Sequence, residues 1–117
     1  MSVEENRKVA RLYHEYGPGD IDNILTPDFV GHSNKPGSGF DFNREDHRRF
    51  WSSEGNQEIR EILHEQVAEG GFVAIRLTRT GTYQGRDIQA EMMRMIRFED
   101  GRIAEIWEYS DPDQWKE

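Results

Sequence analysis

The chain has no cysteine, which excludes disulfides, thiolate metal ligands and a cysteine nucleophile. It also lacks any run of about 18 apolar residues, so no membrane-spanning helix is expected. The opening stretch MSVEENRKVARL is polar and charged, without the apolar core of a signal peptide, and a cytoplasmic protein is the default expectation. Positive charge is scarce: 15 Lys and Arg against 23 Asp and Glu give a net charge of −8, with no basic run to offset it locally. Phosphate backbones and anionic membranes are repelled, so neither nucleic acid nor a membrane is expected as a partner. Histidines number four and are scattered, with no HxH or HExxH spacing, so no metal is assigned. Neither GPG nor GSG joins a strand to a helix, which removes a phosphate cradle, and no cofactor is expected.

What is present fits one domain spanning residues 1–117. Hydrophobic residues make up 34% and charged residues 32%, so a sheet with one wet face is favoured over a sandwich buried on both sides. Val3, Val9, Ala10, Leu12, Tyr13 and Tyr16 recur at helical spacing behind a Ser2–Glu5 capping box. Gly17-Pro18-Gly19 stops that helix. Asp20 caps a short second one through Ile21, Ile24 and Leu25, and DFVGHSN is extended, leading to a KPGSG loop. A third helix starts behind Asn43 and ends near Gly55, with Phe50 and Trp51 turned inward. From Ile59 the character is strand-like. EIREILHEQVAE, FVAIRLTRTGTY, IQAEMMRMIRF and IAEIWEYSD are separated by turn signals at Gly70-Gly71, YQGRD and EDGR. Helices first and a meander of about four antiparallel strands after them predict an α+β domain.

The segments LTPDFVGH, VAEGGFVAIRLTRTGT and RFEDGRIAEIWEYSD resemble the SnoaL-like polyketide-cyclase and ester-cyclase group of the NTF2-like superfamily, from about Val9 to Asp111. The resemblance implies a cone: three N-terminal helices packed on a strongly curved, mainly antiparallel sheet, with a small, largely apolar carbonyl ligand inside. It further implies acid–base cyclisation, or related isomerase, dehydratase or hydrolase chemistry, and a homodimer formed through the sheet. A noncatalytic ligand-binding or dimerisation domain is the alternative, because the same scaffold serves both. The family's acid/base aspartate, just beyond the last-strand tryptophan, matches Asp111, and its pocket histidine matches His32. No histidine follows His64, which departs from the characterised cyclases.

The residues themselves place further candidates. On two-residue periodicity Glu105, Trp107, Tyr109 and Asp111 share a face, and Pro112 favours extended geometry at Asp111. The expectation is therefore Trp107 in the pocket and Asp111 at its rim, near His32 as a proton donor. His47 lies beside the apolar face of the third helix with Trp51. Glu91, Met93 and Met95 share one face of their strand, while Ala90, Met92 and Arg94 share the other. Whichever face lines the cone supplies an adaptable methionine wall, with Glu91 or Arg94 as polar anchor. Arg76 requires a carboxylate if buried, and Glu105 is a candidate partner.

Overall fold

The computed structural model describes residues 2–15, 21–34, 41–52, 59–83 and 85–111. Expectations for the GPG stop, the Asp20 cap, the KPGSG loop, the end of the third helix and Pro112 lie outside them. Three helices are present among the described residues: α1 (Val3–Glu15), α2 (Ile21–Ile24) and α3 (Arg44–Ser52). The strands are β1 (Leu25–Ser33), β2 (Asp41–Asn43), β3 (Arg60–Glu69), β4 (Phe72–Tyr83), β5 (Arg86–Glu99) and β6 (Arg102–Ser110). Local chemistry accounts for several boundaries. Ser2 Oγ accepts from the Glu5 backbone N–H at 3.1 Å and donates to Glu5 Oε1 at 3.0 Å, closing the capping box. Asn43 and Asp46 cap α3 reciprocally through bonds of 2.8 and 3.0 Å. Such caps satisfy amides that a helix start leaves open, each worth about 1 kcal/mol. Asp100 (φ 51°) and Gly101 (φ 83°) form the tight β5–β6 turn, where two left-handed residues match the twist of the paired strands.

The architecture is α+β, with two corrections to the expected order. The third helix is not N-terminal to the sheet, because β1 and β2 precede it. Nor is the sheet a pure meander. Its order is β2-β1-β6-β5-β4-β3, and β1 runs parallel to β6, so the first long strand and the last are hydrogen-bonded neighbours. That pairing follows from the chain returning through β3 to β6 before closing on β1. Register shifts in β1, at Leu63/Glu65 and at Arg97/Phe98 interrupt the ladders, and bulges of this kind bend strands.

All three helices pack on one face. α1 contacts β3, β4 and β6, α2 contacts β1 and β6, and α3 contacts β1 and β2. β5 shows the consequence most clearly: Ile88, Ala90, Met92, Arg94, Ile96 and Phe98 are buried, alternating with more exposed neighbours. Phe29, Leu25, Ile75, Leu77, Met92, Ile96, Ile103 and Ile106 form the apolar centre. Gly31 permits one close approach, since a Cβ there would lie 2.1 Å from the Phe42 ring. That ring in turn sits 5.9 Å from Phe29 and 6.1 Å from His47, tying α3 to β1.

Candidate functional site on the inner face of the sheet

The helix-covered face carries charge as well as hydrocarbon. Register places Glu61 (β3) opposite Arg79 (β4) and Arg94 (β5) opposite Glu108 (β6), all pointing to the helices. Arg94 clamps Glu61 with two bonds of 2.8 and 2.7 Å, and its Nε donates to Glu108 Oε1 at 3.2 Å. Arg79 donates twice to Glu61 Oε2, at 3.1 and 2.8 Å. These side chains are 1–9% exposed, so two cations and two carboxylates balance in a buried cluster. Burial by itself would raise the Glu61 carboxyl, but the Arg94 and Arg79 charges outweigh it and hold it well below the ordinary carboxylate range. Burial likewise opposes charge on Arg94, and Glu61 and Glu108 overcome it, raising the guanidinium further.

Against this network α1 and α3 lay a hydrogen-bonded pair, Tyr13 Oη with His47 Nε2 at 2.6 Å. The Arg94 guanidinium lies over the Tyr13 ring at 5.7 Å and that of Arg79 over Phe50 at 5.6 Å. Burial first, and the Arg94 charge second, push the His47 imidazole down to about 3. Burial raises the Tyr13 phenol. Both groups are therefore neutral near pH 7, a hydrogen-bonding pair beside a fixed cation. The adjacent His14 is pushed down to about 4, mainly by burial, and a ring nitrogen, Nδ1, donates to the Ala10 carbonyl at 2.6 Å. Because a carbonyl only accepts, Nδ1 holds the proton and Nε2 presents a lone pair; that buried atom has no partner among the described residues.

The outer face holds most of the residues expected in a pocket. His32 stacks on Trp107, with ring centroids 5.6 Å apart, and its nitrogens are taken by Asp41 Oδ1 at 2.9 Å and Glu105 Oε2 at 2.7 Å. The hydrogen bond to Glu105, then that to Asp41, raises its pKa. Met93 and Met95 are 53% and 44% exposed, facing Tyr109 and Trp107 across the β5–β6 ladder. Arg76 is exposed and pairs with Glu65 at 2.6 Å and with Glu91 at 3.7 Å, not with Glu105, which bonds His32 and Arg97. Asp111 is exposed past the end of β6, its N–H donating to the Glu91 carbonyl at 3.3 Å. Trp107 thus does not enter the interior, and Asp111 and His32 do not meet there. The shared parity of Trp107, Tyr109 and Glu105 holds, but it points outward because Ile106 and Glu108 take the helix-covered side. Of the expected ligand-binding residues, Arg94 and His47 face inward, Met93, Glu91 and Arg76 do not, and the Trp51 side chain lies outside the described residues. Glu61, Arg79, Glu108 and Tyr13 were not anticipated as site residues. Arg79 and Glu108 carried one sequence signal, a charged residue at the parity of Ile75 and Leu77 and of Ile106, and Tyr13 stood in the apolar stripe of α1.

No group of metal-ligating side chains occurs among the described residues, and no helix there is long and apolar enough to cross a membrane. A mixed, bulged sheet with helices over one face is the architecture of the NTF2-like fold. A "SnoaL-like domain" family model matches residues 7–106, and the chain belongs to that family. Among solved structures, a loop-truncation variant of IdmH is 26% identical, covers 94% of this chain and 95% of its own, and superposes with a TM-score of 0.77. Wild-type IdmH, a proposed polyketide cyclase from Streptomyces antibioticus, is 24% identical over 94% of each chain, with a TM-score of 0.76. An NTF2-like protein of unknown function from Mesorhizobium loti is 20% identical over 93% of each chain, also at 0.76. No curated protein sequence matches significantly.

Proposed function

We propose that this SnoaL-like protein binds a small carbonyl compound between the helices and the inner face of the sheet and moves a proton on it. The observation that carries this reading is the 2.6 Å Tyr13–His47 pair held beside Arg94 in a buried setting. Neutral donors fixed next to a cation can receive the negative charge that develops on a carbonyl oxygen as the neighbouring carbon loses a proton. Glu108 is the acceptor we assign for that proton. It shares the face and engages Arg94 through Oε1 at 3.2 Å. The kinship with IdmH supports carbonyl chemistry, and the charged interior favours a ligand with several oxygens over a wholly apolar one.

The test is α-proton exchange. In deuterated buffer, small β-dicarbonyl compounds are screened by NMR for protein-dependent loss of the α-hydrogen signal. Glu108→Gln should abolish exchange, and Tyr13→Phe should slow it about 100-fold. Asp111→Asn should leave it unchanged. Exchange lost in Asp111→Asn but retained in Glu108→Gln would return the role to the family-implied Asp111.

A noncatalytic binding domain is the second reading. The observation favouring it is the engagement of Glu108 by Arg94 at 3.2 Å, which commits that buried carboxylate to an ion pair. Saturable binding without exchange is its signature. In either case we propose a homodimer through the outer face, where Met93, Met95, Tyr109 and Phe72 are exposed.

A further inference from the structure

Two side chains on opposite faces of the sheet hold the three-residue edge strand β2 to β1. The register pairs Asp41 with His32, Phe42 with Gly31 and Asn43 with Val30, so successive residues of β2 alternate between the faces. On the inner face the Phe42 ring fills the space above Gly31 and lies 6.1 Å from the His47 ring. On the outer face Asp41 Oδ1 meets His32 Nδ1 at 2.9 Å, and Glu105 Oε2 meets His32 Nε2 at 2.7 Å. Ionised carboxylates only accept, so both contacts are hydrogen bonds only when both ring nitrogens carry protons and the ring is a cation. Its stack on Trp107, with centroids 5.6 Å apart and planes 23° apart, favours the same form. Among the described residues the charged groups facing the ring are Asp41 from β2 and Glu105 from β6. From β5, Arg97 holds Glu105 at 3.2 Å and also faces Glu99 at 3.2 Å. The helices cover the other face of the sheet.

We propose that His32 is a proton-operated latch on β2: charged, it ties Asp41 to Glu105 across β1, and neutral, it lets β2 part from β1 and unseats Phe42 from beside His47. A neutral ring keeps one N–H. The other nitrogen then turns a lone pair toward a carboxylate, and two acceptors at that distance repel. Glu105 is 20% exposed and also held by Arg97, whereas Asp41 is 67% exposed, so the proton stays on Nε2 and the Asp41 contact opens. Three ladder pairs at a sheet edge then give β2 little further hold, which is where local opening is easiest. Phe42 follows because it is the next residue of the same strand, and a proton lost on the outer face is felt on the inner one. The bonds to Glu105 and Asp41 raise His32 above its ordinary 6.5, which puts the opening on the alkaline side of that value.

The experiment follows the full chain by NMR from about pH 5.5 to about 9, through the His32, His47 and Phe42 ring signals and the protection of amides 41–43 corrected for intrinsic exchange. His47 is pushed down to about 3, so its own titration contributes nothing in that range. In the wild type, the His47 and Phe42 signals should step with the midpoint of His32, and protection of residues 41–43 should fall about fivefold through the same midpoint. Asp41→Asn is the discriminating variant, an exposed change whose carboxamide accepts from an N–H through its oxygen and donates to a lone pair through its nitrogen, and so holds either form of the ring. In it His32 still titrates beside Glu105, but the step at His47 and the fall in protection should both disappear. Wild-type His47 and Phe42 signals indifferent to the His32 titration, or a step that survives in Asp41→Asn, would overturn the latch. Because no turnover is measured, these outcomes are separate from those of the α-proton exchange assay.

Discussion

His32 and His47 are buried to different degrees and pushed in opposite directions, and their linkage to stability has opposite sign. His32 gains two carboxylate partners, so its pKa rises above 6.5 in the fold. Its contribution is complete below 6.5 and fades as the pH climbs through the folded value. His47 and His14 fall from 6.5 to about 3 and about 4. The unfolded chain takes up protons on them below pH 6.5 that the folded chain refuses, so they destabilise the fold as pH drops. Between pH 7 and 5 this should remove about 2 kcal/mol for His47, and less for the partly exposed His14. Urea unfolding across pH should show that acid-side decline in both the wild type and His32→Gln, with the decline above 6.5 flattened only in the variant. An unchanged alkaline limb in His32→Gln would count against the outer-face pairing. Glu61 is the most consequential single carboxylate, since Arg79 and Arg94 both depend on it. Glu61→Gln keeps the shape but leaves buried cations under-compensated, and a loss of about 3–5 kcal/mol is expected in the same unfolding experiment. A loss below about 1 kcal/mol would show that water reaches the network.

Among the elements, β1 and α3 are joined at a point where a side chain cannot be added. The Phe42 ring occupies the space above Gly31, and through it His47 is held against Phe29. Gly31→Ala must displace the ring, with an expected cost of about 1–3 kcal/mol by denaturant titration. It should also shift the His47 ring signals in NMR spectra. Retention of both stability and those signals would mean that Phe42 has another seat. The edge strand β3 is handled differently: Arg7 of α1 donates to its Gln66 carbonyl, and the register shift between Leu63 and Glu65 breaks the regular edge.

For the molecule as a whole, the two faces of the sheet differ in what remains unpaired. The inner face matches its charges internally and is covered by helices. The outer face leaves Val67, Ile62, Phe72, Met93, Met95 and Tyr109 at 43–69% exposure beside ion pairs such as Arg76–Glu65. A surface of apolar groups rimmed by both signs of charge is suited to a second copy of itself. Light scattering at micromolar concentration should give a dimer mass for the wild type and a monomer mass for the Met93→Lys, Met95→Glu double variant. A monomeric wild type would remove the proposal.

The sequence alone determined what depends on near neighbours. The capping boxes at Ser2 and Asn43, the Asp100-Gly101 turn and the two-residue alternation of β5 are set by local hydrogen bonding, allowed φ and pleat geometry, and each was legible. The motifs also carried the family, because hydrophobic spacing and turn chemistry are shared across its fold. Tertiary structure decided which side of the alternation is the inside. Trp107 with Tyr109 suggests an aromatic wall, while Arg94 and Glu108 suggest a wet surface. The opposite holds, because Glu61 arrives from β3 to pair with both Arg94 and the Arg79 of β4, while Arg94 also pairs with Glu108. A buried charge is affordable only beside its counter-charge, and these partners lie between 14 and 33 residues apart in the chain. No local pattern records that meeting; the pairing of β3 through β6 brings it about.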